Sequence, residues 1–96
     1  MKTIKKITIT PICIEGSLPE TKDMLPNHLY ISTKYHGSSH LCLCGCGINC
    51  YLPINHDGIT TGWDFIISKE VSISPSIASR ICGAHYVITK NIANIL

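Results

Sequence analysis

The sequence predicts a small, mainly β domain of short antiparallel strands, with one short helical turn and a bound metal ion as a staple. Short runs rich in β-branched and aromatic residues, separated by clusters of Gly, Pro and Asn, predict the strands. Soft ligands crowded into residues 40–47 predict the staple. We expect a single domain over residues 1–96. A chain this short buries only a modest fraction of its surface, so a staple would help its stability considerably.

The cysteine-rich stretch reads His40-Leu41-Cys42-Leu43-Cys44-Gly45-Cys46-Gly47. In a straight strand its outer sulfurs would stand roughly 13 Å apart, because a strand rises about 3.3 Å per residue. One tetrahedral zinc ion, with Zn–S distances of about 2.3 Å, cannot bridge that span. Gly45 and Gly47 permit the necessary bend, since glycine readily adopts positive φ. The stretch therefore predicts a strand that ends in a knuckle around zinc.

Composition excludes several classes of function. The formal net charge is only +2 and the basic residues are scattered, which argues against nucleic acid as a partner. No run approaches the roughly 18 apolar residues of a membrane span. Met1–Lys6 lacks the apolar core of a signal peptide, so we expect a cytoplasmic protein with reduced cysteines. An apolar fraction of 45% leaves surface that suits a protein partner.

In the first half of the chain, alternation over Lys2–Thr10 predicts a half-buried strand that Pro11 ends. Residues 15–27 read as a loop with a helical turn around Glu20–Met24. Leu29–Thr33 is the second predicted strand, and Tyr35–Ser39 turns the chain into the cysteine stretch.

In the second half, Ile48–Ile54 predicts an edge strand, because Pro53 cannot donate to a ladder. Asn55–Gly58 is a turn signal. A short helical turn is predicted at Ser74–Ile77, with Ser74 as N-cap and Pro75 in the first helical position. The other predicted strands are Trp63–Ser68, Val71–Ile73, His85–Thr89 and Ile92–Leu96.

Several motifs in a fixed order resemble a known family. They are the CxCGCG run at 42–47, Trp63, Pro75-Ser76-Ile77 and the Cys-x-x-His-Tyr-x-Ile run at 82–88. Together they resemble a small bacterial family catalogued as a domain of unknown function, over roughly residues 28–90. The resemblance implies a zinc-bearing serine peptidase, encoded beside bacterial ubiquitin-like proteins and acting on them.

The chain departs from that family's pattern at two places. Pro75-Ser76-Ile77 is followed by Ala78-Ser79-Arg80 where the family has Gly-Asn-Trp. The terminal hairpin, residues 90–96, lacks the usual Asn-Gly turn and tryptophan. Both departures bear on substrate contacts and on activity.

Six residues of the family pattern are candidate zinc ligands: His40, Cys42, Cys44, Cys46, Cys82 and His85. The four cysteines make a closed, structural site with no position left for water, and a site in which His85 replaces one of them is closed too. The alternative is that the cysteines are reduced and packed as small hydrophobic side chains. Cys13 and Cys50 lie outside the pattern, and we expect both in the core.

Ser76 is the candidate nucleophile, because it is the serine of the family motif. In the first turn of a helix, its neighbouring N–H groups would stabilise an oxyanion. A serine needs a base, for which His85 is the first choice and His40 the second. Alternatively, Ser76 makes only local hydrogen bonds and His85 is a metal ligand.

The sequence gives other titratable residues less specific roles. Asp57, Asp64 and Glu70 are each a candidate to orient the base, and the sequence does not choose among them. The remaining histidines lie in turn-like surroundings and are expected to be solvated: His28, His36 and His56.

Two functions remain open on the sequence alone. One is a zinc-stabilised serine peptidase that processes or removes a ubiquitin-like protein. The other is a non-catalytic zinc module that binds such a protein or another partner from the same operon.

Overall fold

The computed structural model describes residues 5–79 and 82–96, which form nine strands in two sheets. The strands, in chain order, are β1 Lys5–Thr8, β2 Thr10–Ile14, β3 His28–Ser32, β4 Gly37–Leu41, β5 Asn49–Pro53, β6 Asp64–Ile67, β7 Val71–Ala78, β8 His85–Thr89 and β9 Ile92–Ile95. One sheet has the order β1-β9-β8-β7-β6, and the other has the order β2-β3-β4-β5. The mainly β fold predicted from the sequence is confirmed.

A single hydrophobic core joins the two sheets. Alternating residues of the central strands point into it, as expected where one face of a sheet is buried. The chain passes from one sheet to the other at Ile9, which is itself buried. Its N–H donates to Asn91 O, and the next N–H, of Thr10, donates to Asn27 O. The core consists of Ile9, Leu29, Ile31, Leu43, Leu52, Val71, Ile73, Ile77, Tyr86, Ile88 and Ala93.

The helical turn predicted around Glu20–Met24 is present as a 3-10 turn at Thr21–Asp23. In the described part of the chain, no helix has the length and apolar character needed to cross a membrane. The predicted edge strand after the cysteines is β5, at one edge of its sheet. The turn signal at Asn55–Gly58 is also confirmed, with Asp57 and Gly58 both at positive φ.

The N-terminal prediction is wrong in two respects. Lys2–Thr10 is not one strand, because the described part divides at Ile9 between β1 and β2, while residues 2–4 lie outside the described residues. Pro11 does not end a strand but lies inside β2, opposite Leu29. A proline is tolerated there because β2 is an edge strand. β2 also pairs with β3 in parallel, whereas antiparallel pairing was expected throughout.

The helical turn predicted at Ser74–Ile77 is wrong as well. These residues continue β7, which runs from Val71 to Ala78. The Ser74–Pro75 peptide bond is cis. Between the pairs Ile73–Ile88 and Ile77–Tyr86, three residues of β7 face one residue of β8, so the strand carries a bulge. Tertiary pairing with β8 prevails over the local N-cap and proline signals.

Candidate active site and metal centre

Four cysteines converge at one end of the molecule, where the β4–β5 turn meets the β7–β8 loop. The Sγ atoms of Cys42, Cys44 and Cys82 form a triangle with all three sides 3.4 Å long. The Sγ of Cys46 completes a group in which all four atoms lie within 4.8 Å of one another. These separations are far longer than a disulfide bond of about 2.05 Å, and all four cysteines are free.

The predicted knuckle is what brings three of these sulfurs together. Cys42 is the first residue after β4, and its N–H donates to Ile48 O across the turn. Gly45 N–H donates back to Cys42 O, and Gly45 and Gly47 both have positive φ. The chain therefore reverses within residues 42–48, and the sulfurs gather on the inside of the turn.

The fourth sulfur comes from the tight loop between β7 and β8. Ser79 N–H donates to Ala84 O. Gly83 has a positive φ, and its N–H donates to Ser79 O. Hydrogen bonds from the Ser79 side chain and from the Ala84 backbone lower the pKa of the Cys82 thiol to about 6. Burial instead raises the pKa of the Cys42 thiol. The Cys82 thiol thus becomes a thiolate more readily than the Cys42 thiol.

The four thiols fit a single tetrahedral metal ion. Metal–sulfur distances of about 2.3 Å put the sulfurs of a tetrahedral site roughly 3.8 Å apart, close to the observed 3.4 Å. A site with four thiolates has no open position, so such an ion would be structural. Cys44, Cys46 and Cys82 are exposed. Their closeness is therefore not explained by packing as small hydrophobic side chains.

Ser76 and His85 meet on the neighbouring strands β7 and β8. His85 Nε2 lies 2.7 Å from Ser76 Oγ, a hydrogen-bond distance. Ser76 is half-buried and His85 is exposed, so the pair lies at the surface. The four-sulfur group does not include His85, whose Nε2 contacts the serine instead.

Strand geometry explains why these two side chains meet. His85 pairs with Ala78, and Ser76 lies two residues before Ala78 on the same face of β7. Diagonal neighbours of this kind are within reach of a long side chain such as imidazole. The next residue on each strand, Ile77 and Tyr86, is buried on the opposite face. A bulge lies in β7 just before Ile77, and bulges are common beside active sites.

His40, the second choice for the base, is engaged elsewhere. Its ring is buried, and Nε2 lies 2.6 Å from Tyr86 Oη. Tyr86 Oη contacts Cys50 Sγ at 3.9 Å. Burial lowers the pKa of His40 to about 4, so the ring is neutral at neutral pH. Among the described residues, its Nδ1 has no hydrogen-bond partner.

The three carboxylates considered as orienting groups have other neighbours. Asp64 Oδ1 accepts a hydrogen bond from Asn55 Nδ2 at 2.9 Å. Asp57 Oδ2 lies 3.2 Å from His56 Nδ1. Glu70 contributes its backbone O, which accepts from Ser68 Oγ. In residues 5–79 and 82–96, Ser76 and His85 form a pair to which no carboxylate is bonded.

Sequence reasoning missed a second cluster, formed by His36, His56 and Asp57. The two imidazole rings stack with centroids 3.5 Å apart and planes 10° from parallel, and both histidines are half-buried rather than solvated. The ligand atoms of the three residues lie within 4.8 Å of one another. In nearly parallel stacked rings, however, the in-plane lone pairs run side by side and do not converge on one ion. This arrangement is better described as a ring stack than as a metal site.

The two cysteines outside the family pattern differ from each other. Cys13 is exposed, so the expectation that it lies in the core is wrong. Cys13 lies on edge strand β2, where alternation turns it away from the core. Cys50 is half-buried beside Tyr86, and this burial raises the pKa of its thiol.

The fold and the site define a class: a small two-sheet β domain with a closed four-cysteine cluster and a surface serine hydrogen-bonded to a histidine. A serine paired in this way with a histidine is the arrangement that serine hydrolases use. Residues 14–96 match the family described as the serine protease (BubE) of bacterial ubiquitination-like systems, and the chain belongs to that family. The family-level resemblance stated from the motifs is thereby confirmed. No curated protein and no solved structure matches the chain significantly.

Proposed function

We propose that this protein is a zinc-stabilised serine peptidase that processes or removes a bacterial ubiquitin-like protein. The observation that supports it most is the 2.7 Å contact between Ser76 Oγ and His85 Nε2 in a chain of the BubE family. Ser76 serves as nucleophile and His85 as general base. The substrate is a peptide or isopeptide bond that follows the C-terminal residue of the ubiquitin-like protein.

His85 Nε2 accepts the proton of Ser76 Oγ as the oxygen attacks the scissile carbonyl. The resulting imidazolium then gives that proton to the departing amine, and an acyl ester remains on Ser76. Water, deprotonated by the same nitrogen, cleaves the ester and restores the serine. One base thus serves both half-reactions, as in other serine hydrolases.

Cys42, Cys44, Cys46 and Cys82 would hold a zinc ion. Four thiolates would fill its coordination sphere, so the ion would crosslink the β4–β5 turn to the β7–β8 loop and supply no chemistry. The metal site affects catalysis through the position of the base, His85. Cys82 lies three residues before His85, so fixing Cys82 fixes the start of β8 that carries the base.

Labelling with a fluorophosphonate probe tests the proposal, because the probe reacts only with an activated serine. We expect wild-type protein to be labelled on Ser76 and Ser76→Ala to remain unlabelled. Ser74→Ala is the matched control, since Ser74 is exposed on the same strand two residues away, and it should label normally. A wild-type protein that takes up no label favours the binding module without catalysis, and label at a serine other than Ser76 rejects Ser76 as the nucleophile.

A further inference from the structure

The edge of β7 is covered for only half of its length. β6 pairs with β7 from Val71 to Ser74, and the pairing ends with Asp64 opposite Ser74. β7 continues to Ala78, paired on its other side with β8. In the described chain, therefore, no strand lies on the β6 side of Ser76–Ala78.

The covering strand ends there because the chain before it bonds elsewhere. Trp63 N–H donates to Pro53 O at 2.9 Å, and Trp63 O accepts from Asn55 N–H at 2.8 Å. These bonds lead the backbone away from β7 toward the segment that follows β5. Only the Trp63 side chain stays beside β7, where Nε1 lies 3.3 Å from Ser76 O.

The uncovered edge carries backbone groups available for pairing. Ser79 N–H and O both bond within the β7–β8 loop, to Ala84 and Gly83. Ile77 lies two residues before Ser79 and pairs with Tyr86, so the backbone N–H and C=O of Ile77 also point toward β8. Alternation along a strand then directs the N–H and C=O of Ala78 and Ser76 to the opposite side. Ala78 is exposed, so its two groups are open to a partner.

We infer that the substrate binds as an added β-strand along the uncovered edge of β7 at Ala78, beside the Trp63 indole that already donates to Ser76 O. The inference rests on the proposed function and specifies its substrate: an extended, unstructured tail, as opposed to a helix or a folded loop. Main-chain hydrogen bonds to Ala78 hold the tail, and the bound strand carries its carbonyls past Ser76 Oγ. Addition of a strand to an open sheet edge is an established mode of peptide recognition. Ser76 lies on the same strand whose edge binds the peptide. This explains why the uncovered edge and the Ser76–His85 pair occur together.

The first test measures binding without catalysis. Ser76→Ala protein is titrated, by fluorescence anisotropy, into a labelled peptide of the ten residues that end the ubiquitin-like protein of the same system. In a series of peptides, one backbone N–H at a time is replaced by N-methyl. We expect weaker binding, by about fivefold or more, at every second position, because only alternate N–H groups face the edge. Equal effects at neighbouring positions, or none at any, overturn the inference.

The second test removes the edge donor from the protein. Ala78→Pro deletes the N–H that faces the tail, and proline is tolerated at an uncovered strand edge. Ala78→Val keeps the N–H and is the matched control. We expect the KM of Ala78→Pro to exceed that of Ala78→Val about fivefold or more, while fluorophosphonate labelling of Ser76 stays normal. Unchanged KM in a folded Ala78→Pro protein contradicts the inference.

The two tests separate this inference from the proposed function. Alternating N-methyl effects in a protein whose Ser76 takes up no fluorophosphonate would keep the docking edge and reject the peptidase. Normal labelling without alternation would keep the peptidase and reject the docking edge. If the edge is instead occupied by a second copy of the chain, light scattering shows a dimer that Ala78→Pro dissociates, and this outcome also rejects the inference.

Discussion

The four-cysteine cluster and the Ser76–His85 pair are neighbours, because Cys82 lies in the loop between the strands that carry Ser76 and His85, yet the two depend on different physics. The cluster unites segments distant in sequence, the β4–β5 turn and the β7–β8 loop, and its four groups have no other reason to converge. The pair lies on the adjacent, paired strands β7 and β8, with buried Ile77 and Tyr86 beneath it. Loss of a cluster residue should therefore damage the fold, whereas loss of a pair residue should damage only the chemistry.

Removal of the metal should have the largest effect. We expect about one zinc per chain by elemental analysis, and we expect chelation to unfold the protein, because structural zinc contributes on the order of 10 kcal/mol in small domains. Circular dichroism with and without a strong chelator measures this directly. A metal-free protein with an unchanged melting temperature in chelator contradicts the structural role.

Replacement of one ligand tests the same claim residue by residue. Cys44 is exposed, and an ordinary exposed substitution changes stability by no more than about 0.5 kcal/mol. We nevertheless expect Cys44→Ser to give unfolded or insoluble protein, because a thiolate ligand is lost. Cys13→Ser is the matched control, since Cys13 is an exposed cysteine outside the cluster and should leave zinc content and melting temperature unchanged. Equal damage from the two changes would show that the ligands are assigned wrongly.

Replacement of the base should separate the pair from the cluster. We expect His85→Ala to keep zinc and fold but to lose about 10²- to 10⁴-fold in kcat for cleavage of a ubiquitin-like precursor, as general bases do. Because base and nucleophile act as one unit, Ser76→Ala/His85→Ala should be little worse than either single change. His28→Ala, at a histidine outside both sites, should cleave normally. Loss of zinc from His85→Ala would instead make His85 a ligand.

A smaller effect is expected at the buried contact between His40 and Tyr86. Tyr86→Phe leaves His40 Nε2 buried without a partner, which costs about 1–3 kcal/mol. Urea unfolding of the zinc-loaded protein measures the change. Tyr35→Phe, at an exposed tyrosine, should stay within about 0.5 kcal/mol of wild type. A Tyr86→Phe protein as stable as that control would mean that the contact contributes nothing.

The smallest effect is expected at Cys50. Its thiol makes only a weak contact at 3.9 Å with Tyr86 Oη, so Cys50→Ser should be nearly silent in zinc content, unfolding and cleavage. Loss of zinc in this variant would bring Cys50 into the ligand set.

The parts of the molecule that local chemistry determines were predictable from the sequence. Gly45 and Gly47 adopt the positive φ that the knuckle requires, and the C-terminal hairpin follows from two β-branched runs around Lys90-Asn91, both at positive φ. The spacing of Cys42, Cys44 and Cys46 already implied that a bend would bring their sulfurs close together. The 3-10 turn at Thr21–Asp23 was also predictable from the local sequence.

The parts that depend on pairing between distant strands were not predictable. Ser74 and Pro75 carry a helix-start signal, but the pairing of Ile73 and Ile77 with β8, on either side of them, extends the strand through them. Pro11 reads as a strand end until β2 is known to lie at a sheet edge. The stack of His36 on His56 joins two loops 20 positions apart in the sequence, and no local sequence pattern predicts it. The hydrogen bond from Ser76 to His85 likewise depends on which residue faces Ala78.

The most direct test of the account compares zinc content and precursor cleavage in Ser76→Ala protein. We expect about one zinc per chain, a wild-type melting temperature and no measurable cleavage, because Ser76 is the proposed nucleophile and holds no part of the fold. A folded, zinc-replete Ser76→Ala protein that cleaves the precursor at the wild-type rate would contradict it.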